Sequence, residues 1–384
     1  MNILGFNPGH HGSVCLLQDG ELTYFIQEER VTRKKYTPYP LKSFLNILQN
    51  YKIDYLTFTT PSGIFPAVFF KEGNPINEVE NNNYYYILAS LFSPDVKFID
   101  FSFYHHFSHC SHAFYNSGFK KALGVVIDGL GSEIGNIGQE TETIFECSYP
   151  INFKILYKNI FSHNPSNKIS YNNNFDFSKN ITPNLNLSRV YESITMHLGW
   201  DINEAGKTMG LAPYGKFNKN FPLFFNNKNG NPNTFFPNPQ QNNSFINEEK
   251  NPQLKLQRNP KEWHYDESKI TDLEKDLAWR VQNDTQQIVG DYIEEYTNKT
   301  GLKQVCCAGG YFLNCVTNYY LTKRFPDIEF YFEPIANDAG TAIGAAKLVW
   351  HRQTQDTTIR SFKSLYLGKQ YSKDKLLEGI KKYT

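Results

Sequence analysis

An Asp-Gly pair set between two apolar runs is the feature that most restricts what this chain can fold into. NILGFN predicts a strand over Asn2 to Asn7, and further strands follow at Ser13 to Gln18 and Glu21 to Gln27, with Asp19 and Gly20 between the last two. The favoured two-residue hairpin turn needs positive φ at both central positions, which Asp-Gly tolerates, so these two strands are expected to pair back on each other. A helix after Pro40, with Leu41, Phe44, Leu45 and Leu48 on one face, and a strand at Tyr55 to Thr59 complete an α/β opening. A second cycle runs through a strand at Val96 to Asp100, a helix from about His105 to Asn116 closed by Gly118, and ALGVVIDGLGS, an apolar strand that meets glycines at Asp128. Strands at Thr143 to Ser148 and Phe153 to Tyr157 come next. Strand, Asp-Gly and strand therefore recur. The recurrence predicts two related α/β lobes facing each other across a cleft, lobe 1 over about residues 1–120 and lobe 2 over about 121–350.

Residues 162–184 and 226–260 are rich in Asn, Ser and Pro and read as surface insertions. After them Leu273, Leu277, Val281, Ile288, Tyr292 and Tyr296 recur near a helical period, which predicts a long amphipathic helix from Thr271 to Thr300. A strand at Gln304 to Ala308, a Gly-Gly turn, a helix from about Leu313, a strand at Glu329 to Glu333 and a final helix after Asp338 close another α/β cycle. Residues 351–384 read as a tail in which a new segment starts. A chain of 384 residues can bury two coupled cores. Its 39 Lys and Arg against 38 Asp and Glu leave a net charge of +1, so no global positive field draws in a polyanion. Six cysteines without a CxxC pair suit a reduced, cytoplasmic protein. A run of about 18 uncharged apolar residues is missing, so no membrane partner is expected.

Five constellations carry candidate chemistry. In FYHHFSHCSHAFY, His105, His109 and His112 stand four and three apart, on one face of a helix, and two imidazoles one turn apart can chelate one cation. Partly buried histidines satisfied by backbone are the ordinary alternative, but His106 makes four histidines within eight positions out of ten in the chain. Carboxylates usually complete such a set, and Asp128 in VVIDGLGS and Asp338 in ANDAGTAIG sit where an apolar strand delivers an acid to a glycine turn. The glycines there, Gly340 among them, let backbone amides approach a phosphate or oxyanion. Two His with one or two Asp suit Fe, Mn, Zn or Mg alike. CCAGGYFLNCVTN offers Gly309 and Gly310 for close approach of a flat ring or ribose, and Asn314 for an adenine edge or the loop itself. EAGKTMGLAPYGK combines Glu204, a hydroxyl-binding acid, with Gly206 and the cation Lys207. In PGHHGS and EERVTRKKY, His10 is a candidate acid/base and Lys35 a phosphate or carbamoyl contact, although the charge run by itself reads as a solvated edge.

These five motifs, in this order, resemble the O-carbamoyltransferases that act on nodulation factors and antibiotics. GHHGS with DGEL and EERVTRKKYTPYP is similar to that family's N-terminal block, HHFSHCSHAFYNSGF with VVIDGLGS to its metal block, and EAGKTMGLAPYG, AGGYFLNCVTN and EPIANDAGTAIGAA to its nucleotide and closing blocks. The resemblance spans roughly residues 1–350 and implies the two-lobed fold of actin, Hsp70 and the sugar kinases. It implies that His105, His109, Asp128 and Asp338 hold a divalent metal, namely iron. Gly309, Gly310, Asn314, Glu204 and Gly206 are then expected to line an adenosine site, and His10 and Lys35 to stand near the transferred group. Position 11, where many relatives carry Asp, is His11 here. The implied substrates are carbamoyl phosphate and ATP, combined as carbamoyl adenylate, and a hydroxyl acceptor that is a small molecule or a modified nucleotide. LYLGKQYSKDKLLEGI resembles the opening of the family's adenylate-forming domain, so a separate subunit for that step is expected as partner. A tRNA threonylcarbamoyl transferase and a non-catalytic nucleotide-binding subunit share the fold and stand as alternatives, the EAGKTMGLAPYG block speaking against the first.

Overall fold

The computed structural model describes residues 1–59, 84–102, 104–134, 137–162, 178–182, 186–221, 223–225, 252–256, 270–367 and 371–382. The first sheet is built from β1 (Asn2–Asn7), β2 (Ser13–Gln18), β3 (Glu21–Gln27), β4 (Tyr55–Phe58) and β5 (Lys97–Asp100) in the order β3-β2-β1-β4-β5. Strands β1, β2 and β3 pair antiparallel, and β1, β4 and β5 pair parallel. Three helices precede or separate the later strands: α1 (Glu28–Thr32), α2 (Leu41–Asn50) and α3 (Tyr84–Phe92). The hairpin turn takes the conformation its dipeptide favours, with φ of 50° at Asp19 and 84° at Gly20. On α2 the buried apolar face is Phe44, Ile47 and Leu48, while Leu41 is exposed, so the inward stripe is turned relative to the expected one. Phe6 meets the rings of Phe44 and Phe58 with centroids 5.3 and 5.4 Å away, and burying side chains of this size stabilises by roughly 1.5–3 kcal/mol each.

Helix α4 (His105–Ser117) then leads to a second sheet of β6 (Lys121–Ile127), β7 (Glu133–Ile134), β8 (Gly138–Ser148), β9 (Asn152–Phe161) and β10 (Ser178–Thr182). After α5 (Leu187–His197), α6 (Ala205–Leu211) and α7 (Asp272–Thr300) it is completed by β11 (Gln304–Ala308) and, past α8 (Cys315–Arg324), β12 (Glu329–Phe332). Its path is β10-β9-β8-β6-β11-β12 with β7 paired to β8. Within it β9-β8-β6 is antiparallel and β6-β11-β12 parallel, the pattern of the first sheet. The duplication is therefore real, but the two Asp-Gly pairs are not counterparts. Asp19 and Gly20 join the second and third strands of their sheet, whereas Asp128 follows the first strand of its own. The loop matching Asp128 is residues 8–12.

The lobes are fastened by exchanged helices. Helix α4 packs on β6 and β11 of the second sheet, α9 (Thr341–Thr354) packs on β1, β2 and β4 of the first, and the two helices pack on each other. Small residues on α9, Ala342, Ala345 and Ala346, are fully buried there with Ala113 and Phe114 of α4. A strap beyond α9 returns to the first sheet, where Arg360 binds Glu21 and Asp356, and α10 (Lys373–Lys381) ends the described chain.

Two expectations about the Asn-rich text are corrected. Ser178–Thr182, inside the first expected insertion, is a strand that covers the edge of β9, because edge pairing uses backbone groups and needs no apolar side chains. Leu254 and Leu256, inside the second, are buried in the core of the second lobe. The remainder, residues 163–177, 183–185, 226–251 and 257–260, lies outside the described residues. The helix expected from about Leu313 begins at Cys315, after a tight turn at Gly310–Leu313. All six cysteines are free thiols, and among the described residues no helix is long and apolar enough to cross a membrane.

Candidate metal centre

Helix α4 delivers His105 and His109 to the interface between the lobes, one turn apart and both fully buried. Their Nε2 atoms point at each other at 3.1 Å with the rings nearly perpendicular. Asp128 arrives from the end of β6, its Oδ2 3.1 Å from His105 Nε2 and 3.8 Å from His109 Nε2. Asp338 arrives from the turn before α9, its Oδ1 3.5 Å from each of the same nitrogens. One ligand atom from each of the four lies within 4.8 Å of all the others. The carboxylates are far apart in sequence, but the parallel β6-β11-β12 pairing brings the chain ends that follow β6 and β12 to the same side of the sheet.

Two imidazoles and two carboxylates buried together make a strong demand for positive charge. Burial works against a charge on His105, yet Asp338 and Asp128 outweigh it and hold the imidazolium up to about 10. Burial also works against the carboxylates, and the histidines nevertheless hold Asp128 and Asp338 well below the usual range. A set that grips a proton this tightly fits a divalent ion, which supplies the missing charge to all four donors at once.

The surrounding bonds fix the donors. Asp128 uses its second oxygen to accept the Gly310 amide at 3.0 Å, while Asn186 donates to the carbonyls of Asp128 and Gly129 at 2.8 and 3.1 Å. Glu140 accepts from the amides of His106 and Ser132 at 3.0 and 3.3 Å, tying the Asp128 loop to the first turn of α4. Ser132 Oγ in turn accepts the His105 amide at 3.1 Å. Two backbone amides beside the centre are thereby engaged within the protein: that of Gly310 by Asp128, and that of Gly131, in the turn expected to receive an oxyanion, by the Glu140 carbonyl at 2.7 Å.

A cleft of about 910 Å³ opens over this centre, with Asp128, Asp338 and Gly310 in its floor. His10, Lys35, Glu29 and Arg30 enter its wall from the first lobe, Arg189 and Glu192 from α5. His10 is half-exposed, and its Nδ1 lies 3.5 Å from Asp338 Oδ2. His11 stacks edge-on to both His10 and Tyr36, and burial followed by the neighbouring His10 lowers its proton affinity. A smaller cavity of about 180 Å³ adjoins, sharing Asp128, Gly129 and Gly310 and reaching Gly206, Tyr191 and Asn314. Gly309 adopts φ 95° beside the Ile127 backbone, where a Cβ would overlap, so the Gly-Gly turn is required by the approach of β11 to β6. Asn314 caps α8 by accepting the Thr317 amide and donates to Gln282.

Four expected contacts, Glu204, Lys207, Gly309 and Gly340, do not line either cavity. Glu204 closes a capping box with Asp201 and pairs with Lys207 at 2.6 Å, so acid and cation engage each other at the surface. Gly340 packs against the imidazole of His112, where a Cβ would overlap it. Glu29 and Arg30 belong to the charge run that reads in the sequence as a solvated edge, whereas Glu140, Asn186, Arg189 and Glu192 were not singled out; of these four only Asn186, a cap residue just before an apolar helical run, carried a readable signal.

The family model described as carbamoyltransferase N-terminus matches residues 72–347. Nodulation protein NolNO of Sinorhizobium fredii is 23% identical over 390 residues, covering 96% of this chain and 50% of that protein. An uncharacterized protein of Synechocystis sp. is 25% identical over 439 residues, covering 99% of this chain and 62% of that one. This chain thus spans about half to three-fifths of the length of these relatives. Among solved structures, HypF of T. kodakarensis superposes with a TM-score of 0.54 at 11% identity, covering 94% of this chain and 49% of that one. A full-length HypF in its phosphate- and nucleotide-bound form gives 0.51 at 12%, covering 92% and 56%. At such identities the likeness concerns the fold alone, which here is mixed α/β with two sheets built on one strand pattern.

Proposed function

This chain belongs to the carbamoyltransferase family, and from that premise we propose that it moves a carbamoyl group from carbamoyl adenylate onto an acceptor hydroxyl at the His/Asp centre. The observation that carries the proposal is the convergence of His105, His109, Asp128 and Asp338 in the floor of a cleft, beside a smaller cavity that runs along the Gly-Gly turn. The smaller cavity is assigned to the adenosine of the donor, with Gly206, Gly310 and Asn314 in its wall. The larger one is assigned to the acceptor, a small-molecule or modified-nucleotide alcohol.

In the proposed reaction the acceptor oxygen attacks the carbamoyl carbon, the bond from that carbon to the AMP phosphate oxygen breaks, and the acceptor proton passes to His10. His10 suits this role because it faces the cleft, stands beside Asp338 and remains open to solvent, which lets it shed the proton. Lys35, on the same wall, is assigned to the donor's phosphate. His105, His109, Asp128 and Asp338 would hold a divalent ion, with iron as the proposed occupant, and the chemistry it would supply is Lewis-acid polarisation of a carbonyl or phosphate oxygen. Carbamoyl adenylate itself is proposed to be formed from carbamoyl phosphate and ATP by an activating module.

The test is to supply carbamoyl adenylate directly, with a panel of alcohols, and to follow AMP release and the gain of one carbamoyl group by mass spectrometry. The proposal expects alcohol-dependent AMP release. Transfer of threonylcarbamoyl to tRNA instead, or adenylate binding with no transfer to any acceptor, would overturn it.

A further inference from the structure

The polar stripe on α4 does not end at the centre. His112 and Asn116 continue it three and seven residues past His109 and are buried, at 0% and 1% exposure, against the segment that follows β12. Glu333 in that segment accepts from Asn116 Nδ2 at 2.9 Å and from the Tyr331 hydroxyl at 3.3 Å through one oxygen. Its other oxygen accepts the Ile335 amide at 3.1 Å and lies 3.4 Å from His112 Nε2. Lys347, on α9, donates to Asn116 Oδ1 at 2.6 Å. Glu333 and Lys347 are only 2% and 6% exposed, and neither they nor Asn116 line the two cavities.

Burying an acid and an amine in a core is costly unless geometry compensates, and apolar residues of like volume often fill such a space without loss. What the polar set adds is orientation. Glu333 and Asp338 lie on one short segment, so the carboxylate gripping Asn116 and the carboxylate facing His105 and His109 belong to the same turn. Gly340, two residues further on, closes against the His112 ring. A one-residue slip of α4 is a 1.5 Å rise and a rotation of about 100°; it would displace His105 and His109 and break the Glu333–Asn116 bond together, so that bond resists it.

We propose that Glu333, Asn116 and Lys347 are positioning residues of the metal centre, setting the register and rotation of α4 against the Asp338 turn. The proposal rests on reading His105, His109, Asp128 and Asp338 as a metal site. It assigns the buried trio no contact with substrate.

The experiment is a Co²⁺ titration of chelator-treated protein, followed through ligand-field absorption, for wild type, Glu333→Ala, Glu333→Gln and Lys347→Met. Glu333→Ala is expected to lose tenfold or more in affinity, the usual range for outer partners of a metal site, with a changed band intensity. Glu333→Gln, whose amide oxygen still accepts from Asn116 and Tyr331, is expected to stay within about threefold of wild type. Lys347→Met, which decides the matter if Glu333→Ala does not fold, is expected to weaken binding and alter the spectrum in the same direction. Wild-type affinity and spectrum in Glu333→Ala or Lys347→Met would overturn the proposal, as would equal losses in the Ala and Gln variants. A wild type that takes up no Co²⁺ would instead overturn the metal reading beneath it.

Discussion

Two loops occupy the same corner of the two sheets, and they differ in the side chain each presents and in how far that side chain is exposed. Residues 8–12 follow the first strand of one lobe and present His10, half-exposed and 3.5 Å from Asp338. Asp128 follows the first strand of the other, with both of its oxygens engaged and its loop tied down by Asn186, Ser132 and Glu140. The difference teaches how a duplicated fold divides labour. A ligand for an ion gains from a rigid setting, because its geometry must not change, whereas a group that exchanges a proton needs access to water. Under the proposed function the anchored loop holds the centre and the open loop handles the acceptor.

The sharpest way to break this comparison is to delete on one side and read on the other. His109→Ala is expected to abolish metal uptake and carbamoyl transfer together, measured by metal analysis and product mass; an active, metal-free variant would contradict the division. His10→Ala is expected to lower kcat roughly a hundredfold, in the range ordinary for a lost general base, while leaving metal content at the wild-type level. If His10→Ala loses the metal instead, the open loop is part of the anchored site and the contrast collapses.

The next effect concerns the anchor. Burial by itself would raise the Glu140 carboxyl, but His106 and Lys158 outweigh burial and hold it at about 2, against 4.5 in the unfolded chain. A depressed carboxyl contributes stability above its unfolded value and loses that contribution as pH falls toward the folded one. Through this group the protein is expected to lose on the order of 3 kcal/mol between about pH 4.5 and pH 2, and denaturant melts of Glu140→Gln should show a flatter acid limb. Smallest is Asn186→Ala, which removes the α5 cap and two bonds to the Asp128 loop; a loss of about 1–2 kcal/mol by urea titration is expected, with metal stoichiometry kept.

The sequence was legible where chemistry follows local spacing. His105 and His109 could be paired because positions four apart share a helix face, and Asp128 and Asp338 could be nominated because each ends an apolar run at a glycine turn. Their supports were legible only in part: Asn186 shows in the sequence as a helix cap but not as a tie to the Asp128 loop, and Glu140 and Glu333 act through bonds to backbone amides or side chains far along the chain. The charge run after β3 misled for the same reason. Glu28 reads there as part of a solvated edge, yet it is 2% exposed and accepts from the Lys42 and Ser43 amides at 3.1 Å each, satisfying the first turn of α2. The twin Asp-Gly pairs misled differently: one dipeptide turns a hairpin at Asp19 and the other follows the first strand of its sheet at Asp128, so the duplication followed from a match between unlike corners.

The most direct measurement of the central claim is anomalous scattering from crystals of the wild-type chain soaked in Mn²⁺. One peak is predicted, roughly 2.0–2.3 Å from His105 Nε2, His109 Nε2 and an oxygen each of Asp128 and Asp338. Strong binding elsewhere on the chain with nothing between these four side chains would contradict it.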